Sequence, residues 1–169
     1  FYQQIPVGHI EAGLRTNNRY KPFPEEMNRR LTSVLSTYHF APTQTAVQAL
    51  KREGVPKRFI WCTGNTVIDA LHKVLVKPYN IKLGVELKDN QRLILVTVHR
   101  RENFGKPFEE IMLALRYLVE HNPDVEIIYP VHPNPKVQEP AFRILKGVDR
   151  IYLLEPLDYL LFVNLMKIS

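Results

Sequence analysis

The sequence contains a single cysteine, Cys62, among its 169 residues. A lone cysteine cannot form an internal disulfide bond, which fits a reducing compartment such as the cytoplasm. No apolar run reaches the roughly 18 residues needed to cross a bilayer. No basic segment followed by an apolar one indicates a signal peptide. These absences predict a cytoplasmic protein that does not enter a membrane.

Several well-known catalytic patterns are also missing. The sequence has no GxGxxG dinucleotide fingerprint, no phosphate-binding P-loop and no GxSxG nucleophile turn. It has neither HExxH nor paired CxxC motifs, so we predict no metal site.

The positive charge is confined to one part of the chain. Residues 1–80 contain 11 Lys/Arg and 5 Asp/Glu, whereas residues 81–169 contain 12 of each. The first part should attract anions, either a phosphorylated small molecule or nucleic acid, although scattered surface charges would give the same count. The sequence contains no basic run and no nucleic-acid-binding motif, so we predict no nucleic-acid partner.

Short apolar strands alternate with amphipathic helices along the chain, which predicts a doubly wound α/β fold of parallel strands. The predicted strands are Ile5–Ile10, Tyr38–Ala41, Phe59–Thr63, Leu93–Val98, Val125–Val131 and Ile151–Leu154. The predicted helices are Glu25–Leu35, Thr43–Glu53, Thr66–Val76, Phe108–His121, Val137–Leu145 and Leu157–Met166.

Periodicity is lost between residues 77 and 92, a stretch with turn signals that predicts a linker between two lobes. Residues 1–76 would then belong to the first lobe and residues 93–169 to the second. The first lobe has only three predicted strands, and the chain begins with Phe1 rather than Met. Both features predict that a preceding part of the protein is missing.

Two segments in the first lobe contain candidate carboxylates. In GHIEAGLRT, Glu11 and Arg15 follow a strand, where open α/β sheets bind ligands. A surface Glu–Arg pair at a turn explains this pattern better when it is taken alone. In KPFPEEMNRR, Glu25 and Glu26 begin a helix, and the helix dipole together with pairing to arginines four residues later accounts for both.

Two further segments end strands in the second lobe. TVHRRENFG places a dense polar cluster at a strand end, and we favour a functional interpretation over a solvated turn. Its residues are His99, Arg100, Arg101, Glu102 and Asn103. YPVHPNP places His132 at another strand end, with function and a stiff turn equally supported. If these strands are neighbours, both histidines face one crevice.

Six segments together resemble the non-hydrolysing UDP-N-acetylglucosamine 2-epimerases of bacteria and archaea. They are HIEAGLRT, PFPEEMNR, HFAPT, TGNTVIDAL, TVHRRENFG and YPVHPNP, in this order. The resemblance implies two Rossmann-like lobes in the glycosyltransferase-B architecture, with a UDP-binding second lobe. It implies interconversion of UDP-N-acetylglucosamine and UDP-N-acetylmannosamine by loss and re-addition of UDP through 2-acetamidoglucal, for surface polysaccharide synthesis. No cofactor is required.

The resemblance also implies roles for individual residues. Glu11 and Glu25 match catalytic carboxylates, without an indication of which is the acid and which the base. His99 matches a catalytic histidine at the diphosphate. Arg100 and His132 match positions that bind an allosteric second substrate in some members. Substrate-binding assignments are weaker for Arg15, Arg100, Arg101, Glu102 and Asn103. Family members are commonly homodimers.

Other family segments are absent from the sequence. These are GTRPE, HGDT with its catalytic aspartate, SGGxQEE and ERPE. We therefore predict that the isolated chain is inactive, although its parent is an enzyme. The alternatives are a nucleotide-sugar-binding fragment without catalysis, a glycosyltransferase-B-type transferase or a hydrolysing epimerase. The latter two classes are not expected to carry HIEAGLRT together with HRREN.

Overall fold

A computed structural model describes residues 2–84, 87 and 90–169. The chain divides into two compact units, Phe1–Ala70 and Leu71–Ser169. The predicted linker, residues 77–92, includes positions outside the described residues, and the predicted lobe boundaries stay a prediction.

The first unit contains a parallel sheet of three strands in the order β1-β2-β3. The strands are β1 (Gly8–Ile10), β2 (Tyr38–Ala41) and β3 (Ile60–Cys62). The helices are α1 (Glu25–Leu35), α2 (Gln44–Arg52) and the first part of α3 (Thr66–Leu75). In the register, His9 of β1 lies opposite His39 of β2.

Local capping explains where α2 and α3 begin. The Thr43 hydroxyl accepts a hydrogen bond from the Ala46 N–H, and the Asn65 side chain accepts one from the Val67 N–H. Each bond satisfies a backbone donor that has no partner inside its helix. Both helices therefore begin just beyond a strand end, where their first turns border the candidate site.

The second unit repeats the arrangement with β4 (Arg92–Leu95), β5 (Val125–Pro130) and β6 (Ile151–Leu154), parallel and in the order β4-β5-β6. Its helices are α4 (Lys106–His121), α5 (Pro135–Leu145) and α6 (Tyr159–Ile168). The strands that precede His99 and His132 are thus neighbours. The predicted α/β class with parallel sheets is confirmed.

Three helices of the second unit start at other residues than predicted, two of them earlier and one later. Helix α4 begins at Lys106, directly after Gly105 with its φ of +84°. Helix α5 begins at Pro135 because the Asn134 side chain caps it, and proline suits the first helical position. Helix α6 begins at Tyr159 because the Asp158 carboxylate accepts from the Leu161 N–H.

Each unit has its own apolar core. The core of the first unit is small and lies between β2 and α2, with Ala41, Ala46, Val47 and Leu50 among its members. The core of the second unit is larger and surrounds β5. Among the described residues, no helix combines the length and the apolar character that crossing a bilayer requires.

Candidate functional site: two strand-end clusters

The first cluster begins where β1 ends. Glu11 follows Ile10 directly, with a φ of +64°, a backbone conformation that side-chain-bearing residues rarely adopt. Its carboxylate is exposed and accepts a hydrogen bond of 3.1 Å from the Asn65 side chain, at the start of α3. Unusual backbone geometry at a strand end supports a functional role for Glu11.

Gly13 brings the same loop tightly against α2. Its φ is +86°, and a Cβ at this position would overlap the backbone carbonyl of Ala46. The Ala12 N–H donates to the Phe40 carbonyl at 3.0 Å, which ties the loop to β2. A glycine at this point of HIEAGLRT is therefore a packing requirement.

An open cavity of about 490 Å³ lies beyond the carboxyl ends of β2 and β3. Its walls include Leu14, Thr43, Asn65 and Asp69. Because Asn65 also holds the Glu11 carboxylate, this carboxylate lies beside the cavity. The polar side chains that line it, Thr43, Thr63, Asn65 and Asp69, lie at or just before the first turns of α2 and α3.

Arg15 is almost fully engaged by neighbouring groups. Its guanidinium makes two hydrogen bonds of 2.8 Å to the Glu53 carboxylate and donates to the Ser33 hydroxyl and the Leu14 carbonyl. The side chain is 3% exposed. Most of its donors are therefore satisfied within the protein, and substrate binding by Arg15 stays a prediction.

The two glutamates of PFPEE have opposite surroundings. Glu25 is exposed, and its carboxylate makes no hydrogen bond or ion pair with any described residue. Glu26 is fully buried and accepts from the backbone N–H groups of Thr16 and Asn17 and from Arg30. Burial alone would raise the pKa of Glu26, but these hydrogen bonds outweigh it and hold the pKa below its usual range.

The predicted ion pair between Glu26 and Arg30, four residues apart, is present at 3.0 Å. The catalytic role of Glu25 stays a prediction. Glu25 and Glu11 remain the exposed carboxylates of the two motifs.

Two imidazoles pack together behind Glu11. His9 and His39 face each other across β1 and β2, with ring centroids 6.4 Å apart. Burial lowers both pKa values, with a further contribution from Arg15, and His39 also lowers that of His9. Their Nδ1 atoms are buried and accept or donate no hydrogen bond within the described part of the chain. Both imidazoles are therefore biased toward the neutral form.

The second cluster joins the ends of β4 and β5. The rings of His99 and His132 stack with centroids 5.3 Å apart and an interplanar angle of 22°. The prediction that neighbouring strands bring these two histidines together is confirmed. The His132 Nδ1 accepts from the Asn134 N–H at 3.1 Å, so neutral His132 carries its proton on Nε2.

The backbone before His99 is held by a buried tyrosine. Tyr129 of β5 is fully buried, and its hydroxyl donates to the Val98 carbonyl at 2.8 Å. Burial raises the pKa of Tyr129 to about 12, so the hydroxyl keeps its proton at neutral pH. This bond fixes the end of the segment from which His99 projects.

The remaining predicted residues lie on a single turn beyond His99. A 3₁₀ turn spans Arg101–Asn103, and the side chains of Arg100, Arg101 and Glu102 are exposed. None of these side chains, nor that of Asn103, forms a hydrogen bond or ion pair within the described residues. Unpaired guanidinium groups are available to an anion such as a phosphate. The substrate-binding and allosteric assignments here stay predictions.

Sequence reasoning missed four residues of these clusters. Glu26 was explained by the helix dipole and by pairing with Arg30, while Asn65, Glu53 and Tyr129 received no role at Glu11, Arg15 and Val98. Their partners lie far away in sequence, so no local pattern could indicate them.

Both sheets end in polar clusters at the edge where parallel α/β sheets bind ligands, which defines the chain as part of an α/β ligand-binding protein. A solved structure of the UDP-N-acetylglucosamine 2-epimerase from Neisseria meningitidis, bound to UDP-N-acetylglucosamine, superimposes with a TM-score of 0.91. It is 46% identical, and the match covers 100% of this chain and 47% of that one.

Sequence relatives give the same result. The UDP-N-acetylglucosamine 2-epimerases of Yersinia pestis and Escherichia coli strain K12 are each 52% identical over 175 residues. The chain spans 46% of the length of each. The family model for UDP-N-acetylglucosamine 2-epimerases matches residues 1–169. The chain therefore belongs to the UDP-N-acetylglucosamine 2-epimerase family.

Proposed function

We propose that the full-length protein interconverts UDP-N-acetylglucosamine and UDP-N-acetylmannosamine without hydrolysing them. The observation that carries this proposal is the match of the whole chain to the epimerase family, together with the motif positions of Glu11, Glu25 and His99. The relative from Neisseria meningitidis binds UDP-N-acetylglucosamine, which supports the same substrate here.

The proposed reaction is an elimination followed by an addition. A base removes the C2 proton while the C1–O bond breaks, and the electron pair of that bond leaves with UDP. The product of this step is 2-acetamidoglucal, with a double bond between C1 and C2. UDP then re-adds at C1 while an acid delivers a proton to the opposite face of C2. No electrons are gained or lost overall, so the chemistry needs no redox cofactor.

Two carboxylates suit a reaction that handles a proton on each face of C2. Glu11 and Glu25 are exposed and could reach a substrate, in contrast to the buried Glu26. We assign Glu11 and Glu25 to these proton transfers, leaving open which is base and which is acid. The Asn65 amide, which donates to Glu11, would orient that carboxylate.

Departure of UDP concentrates negative charge on the diphosphate, which cationic and hydrogen-bonding groups stabilise. His99 is exposed at the end of the β4 segment, with Arg100 and Arg101 following it. We assign His99 to the departing diphosphate and Arg101, Glu102 and Asn103 to substrate binding. Arg15 belongs to the same proposed substrate-binding set. Arg100 and His132 would hold a second substrate molecule as an allosteric activator.

A second candidate applies to the chain by itself. Because it spans 46% of its relatives' length, we propose that these 169 residues alone bind nucleotide sugar at most and do not turn it over. For the parent we propose a cytoplasmic homodimer whose product enters surface polysaccharides. These points rest on the family resemblance.

The test uses the full-length parent in deuterated water with UDP-N-acetylglucosamine. Epimerisation incorporates deuterium at C2 and retains the UDP-sugar. Release of free N-acetylmannosamine would instead identify a hydrolysing epimerase, and no change would identify a binding protein. The 169-residue chain, assayed in parallel, should be silent.

The same assay tests Glu25 directly. We expect Glu25→Gln to lower turnover by at least about a hundredfold, the scale of lost acid–base catalysis, with the fold intact. Glu110→Gln is the matched control, because Glu110 is an exposed glutamate on α4 with a weak 3.8 Å ion pair. An unchanged rate in Glu25→Gln would return this residue to the role of a helix-start carboxylate.

A further inference from the structure

The neighbour of Glu25 is a fully buried carboxylate at the start of α1. Glu26 has no exposed surface, which is rare for a charged side chain unless every oxygen is partnered. One oxygen accepts from the Thr16 N–H at 2.9 Å, and the other accepts from the Asn17 N–H at 3.3 Å and Arg30 Nε at 3.0 Å. Three donors therefore converge on this one group.

Two of these donors belong to the segment that connects the candidate carboxylates. Thr16 and Asn17 lie between Glu11 and Glu25, and Asn17 has a left-handed φ of +59°. Arg30 also contacts this segment directly, since its Nη2 donates to the Asn17 side-chain oxygen at 3.2 Å. Glu26 and Arg30 thus fasten the middle of the connecting segment to α1.

A second ion pair continues the network away from the segment. The Glu53 carboxylate, just past α2, binds Arg15 at 2.8 Å and lies 3.5 Å from Arg30. Arg15 also donates to Ser33 on α1. Charges of alternating sign therefore link the loop after β1 with α1 and the end of α2.

The network determines which glutamate faces solvent. Successive residues of a helix point about 100° apart, so burying Glu26 among its donors turns Glu25 outward. We propose that Glu26 is a positioning residue: through Thr16, Asn17 and Arg30 it fixes the first turn of α1 against the loop after β1, and thereby sets the geometry of Glu11 and Glu25. This inference rests on the proposed function of those two carboxylates.

A positioning role and general structural support differ in their kinetic effects. Glu26 is buried and touches no substrate, so its loss should leave UDP-sugar binding intact. Misplacing the carboxylates by a fraction of an ångström lowers only the rate of the bound complex, and a shift of about 1 Å can cost about a hundredfold. The expected signature is therefore a fall in kcat without a matching change in KM.

The experiment compares Glu26→Gln with Glu25→Gln in the full-length enzyme, by C2 deuterium incorporation at a temperature where circular dichroism shows both variants folded. Glutamine keeps the shape of Glu26 but replaces one carboxylate oxygen with an NH2 group. That group cannot accept a hydrogen bond, so at least one of the three donors loses its acceptor. We expect kcat to fall at least about tenfold and KM to stay within about twofold. Faster hydrogen exchange at the Thr16 and Asn17 amides should accompany the fall.

The outcomes separate this inference from the proposed function. If Glu25→Gln loses activity while Glu26→Gln keeps its kcat, the positioning role is wrong and the function of Glu25 stands. If neither variant loses activity, the proposed role of Glu25 fails and the inference fails with it. A rise in KM equal to the fall in kcat/KM, with kcat unchanged, would also overturn the positioning role.

A second variant covers the case in which Glu26→Gln does not fold. Arg30→Lys keeps one positive charge on a side chain that is 36% exposed, but it cannot donate to Glu26 and Asn17 together. We expect kcat to fall about threefold or more, again with little change in KM. An unchanged kcat in Arg30→Lys, with Thr16 and Asn17 amides exchanging faster, would contradict the inference.

Discussion

Among the residues that the structure describes, five buried apolar side chains form the core of the first unit, behind the loop of Glu11, whereas thirteen form the core of the second unit around β5. The first unit has buried and partly buried ion pairs in addition to its small core: two arginines and two glutamates link its loop to α1 and α2. In the second unit the ion pairs of α4 lie at the surface, with Arg116 and Glu120 about half exposed.

The same contrast applies to the two candidate catalytic segments. The segment after Glu11 is held by Glu26, a buried carboxylate with charged and backbone donors. The Val98 carbonyl, just before His99, accepts a neutral hydrogen bond from Tyr129, which is itself part of the apolar core. The first unit should therefore be sensitive to loss of charge, and the second to loss of packing.

Removing apolar volume from the second unit should have the largest effect. Phe108 on α4 is fully buried in the larger core. We expect Phe108→Ala to lower the free energy of unfolding of this unit by about 3–5 kcal/mol, because the lost ring leaves a cavity. Urea titration followed by hydrogen exchange at the β5 amides measures the change.

The control for Phe108→Ala is Leu113→Ala, at a position of the same helix that is 54% exposed. Its effect should stay within about 0.5 kcal/mol, as for ordinary surface substitutions. Equal effects of the two substitutions would contradict the assignment of the core to this face of α4.

The sequence predicted the elements whose signals are local. Helix α1 and strands β2 and β6 have the predicted bounds, since Pro24 begins the helix and short apolar runs bounded by polar residues mark the strands. Strand β1 was predicted from Ile5 but pairs only over Gly8–Ile10, because its partner β2 begins at Tyr38. Apolar character does not predict where a neighbouring strand starts.

The candidate site was predictable only in part for the same reason. The meeting of His99 and His132 followed from strand ends alone, because parallel neighbours end at one edge. The role of Glu26 was not predictable, because its partners Thr16 and Asn17 lie on a loop whose path depends on packing against α2. The helix dipole and the pair with Arg30 already accounted for Glu26, so nothing in the sequence indicated its two backbone donors.

Removing charge from the first unit should have the second-largest effect. Glu53→Ala deletes both hydrogen bonds to Arg15, whose side chain is 3% exposed, and the ion pair to Arg30. We expect a loss of about 1.5–3 kcal/mol in the free energy of unfolding of this unit, the range for hydrogen bonds between charged groups. Hydrogen exchange at the β2 amides measures it.

Lowering the pH should reduce the difference in the free energy of unfolding between the wild type and Glu53→Ala. The hydrogen bond from Arg15 holds the pKa of Glu53 below its ordinary value of 4.5, although partial burial opposes the shift. The folded state therefore favours the charged form, so the stabilisation is fully present above pH 4.5 and is lost as the pH falls through the lowered pKa. Below that pH the wild type and Glu53→Ala should have nearly equal free energies of unfolding. Glu120→Ala, which breaks an exposed pair, should cost only about 0.3–0.5 kcal/mol at neutral pH.

The smallest of the three main losses should come from removing the neutral hydrogen bond behind His99. Tyr129→Phe removes the hydroxyl that donates to the Val98 carbonyl but keeps the buried ring. We expect a loss of about 0.5–1.5 kcal/mol in the free energy of unfolding of the second unit, the usual net value of one such bond. The amide of His99 should exchange faster, since the backbone before it loses its anchor.

Tyr117→Phe is the control, because Tyr117 is 60% exposed on α4 and should change neither quantity. A loss in Tyr129→Phe as large as that in Glu53→Ala would mean that the second unit also depends on a polar anchor, and the contrast between charge and packing would not hold.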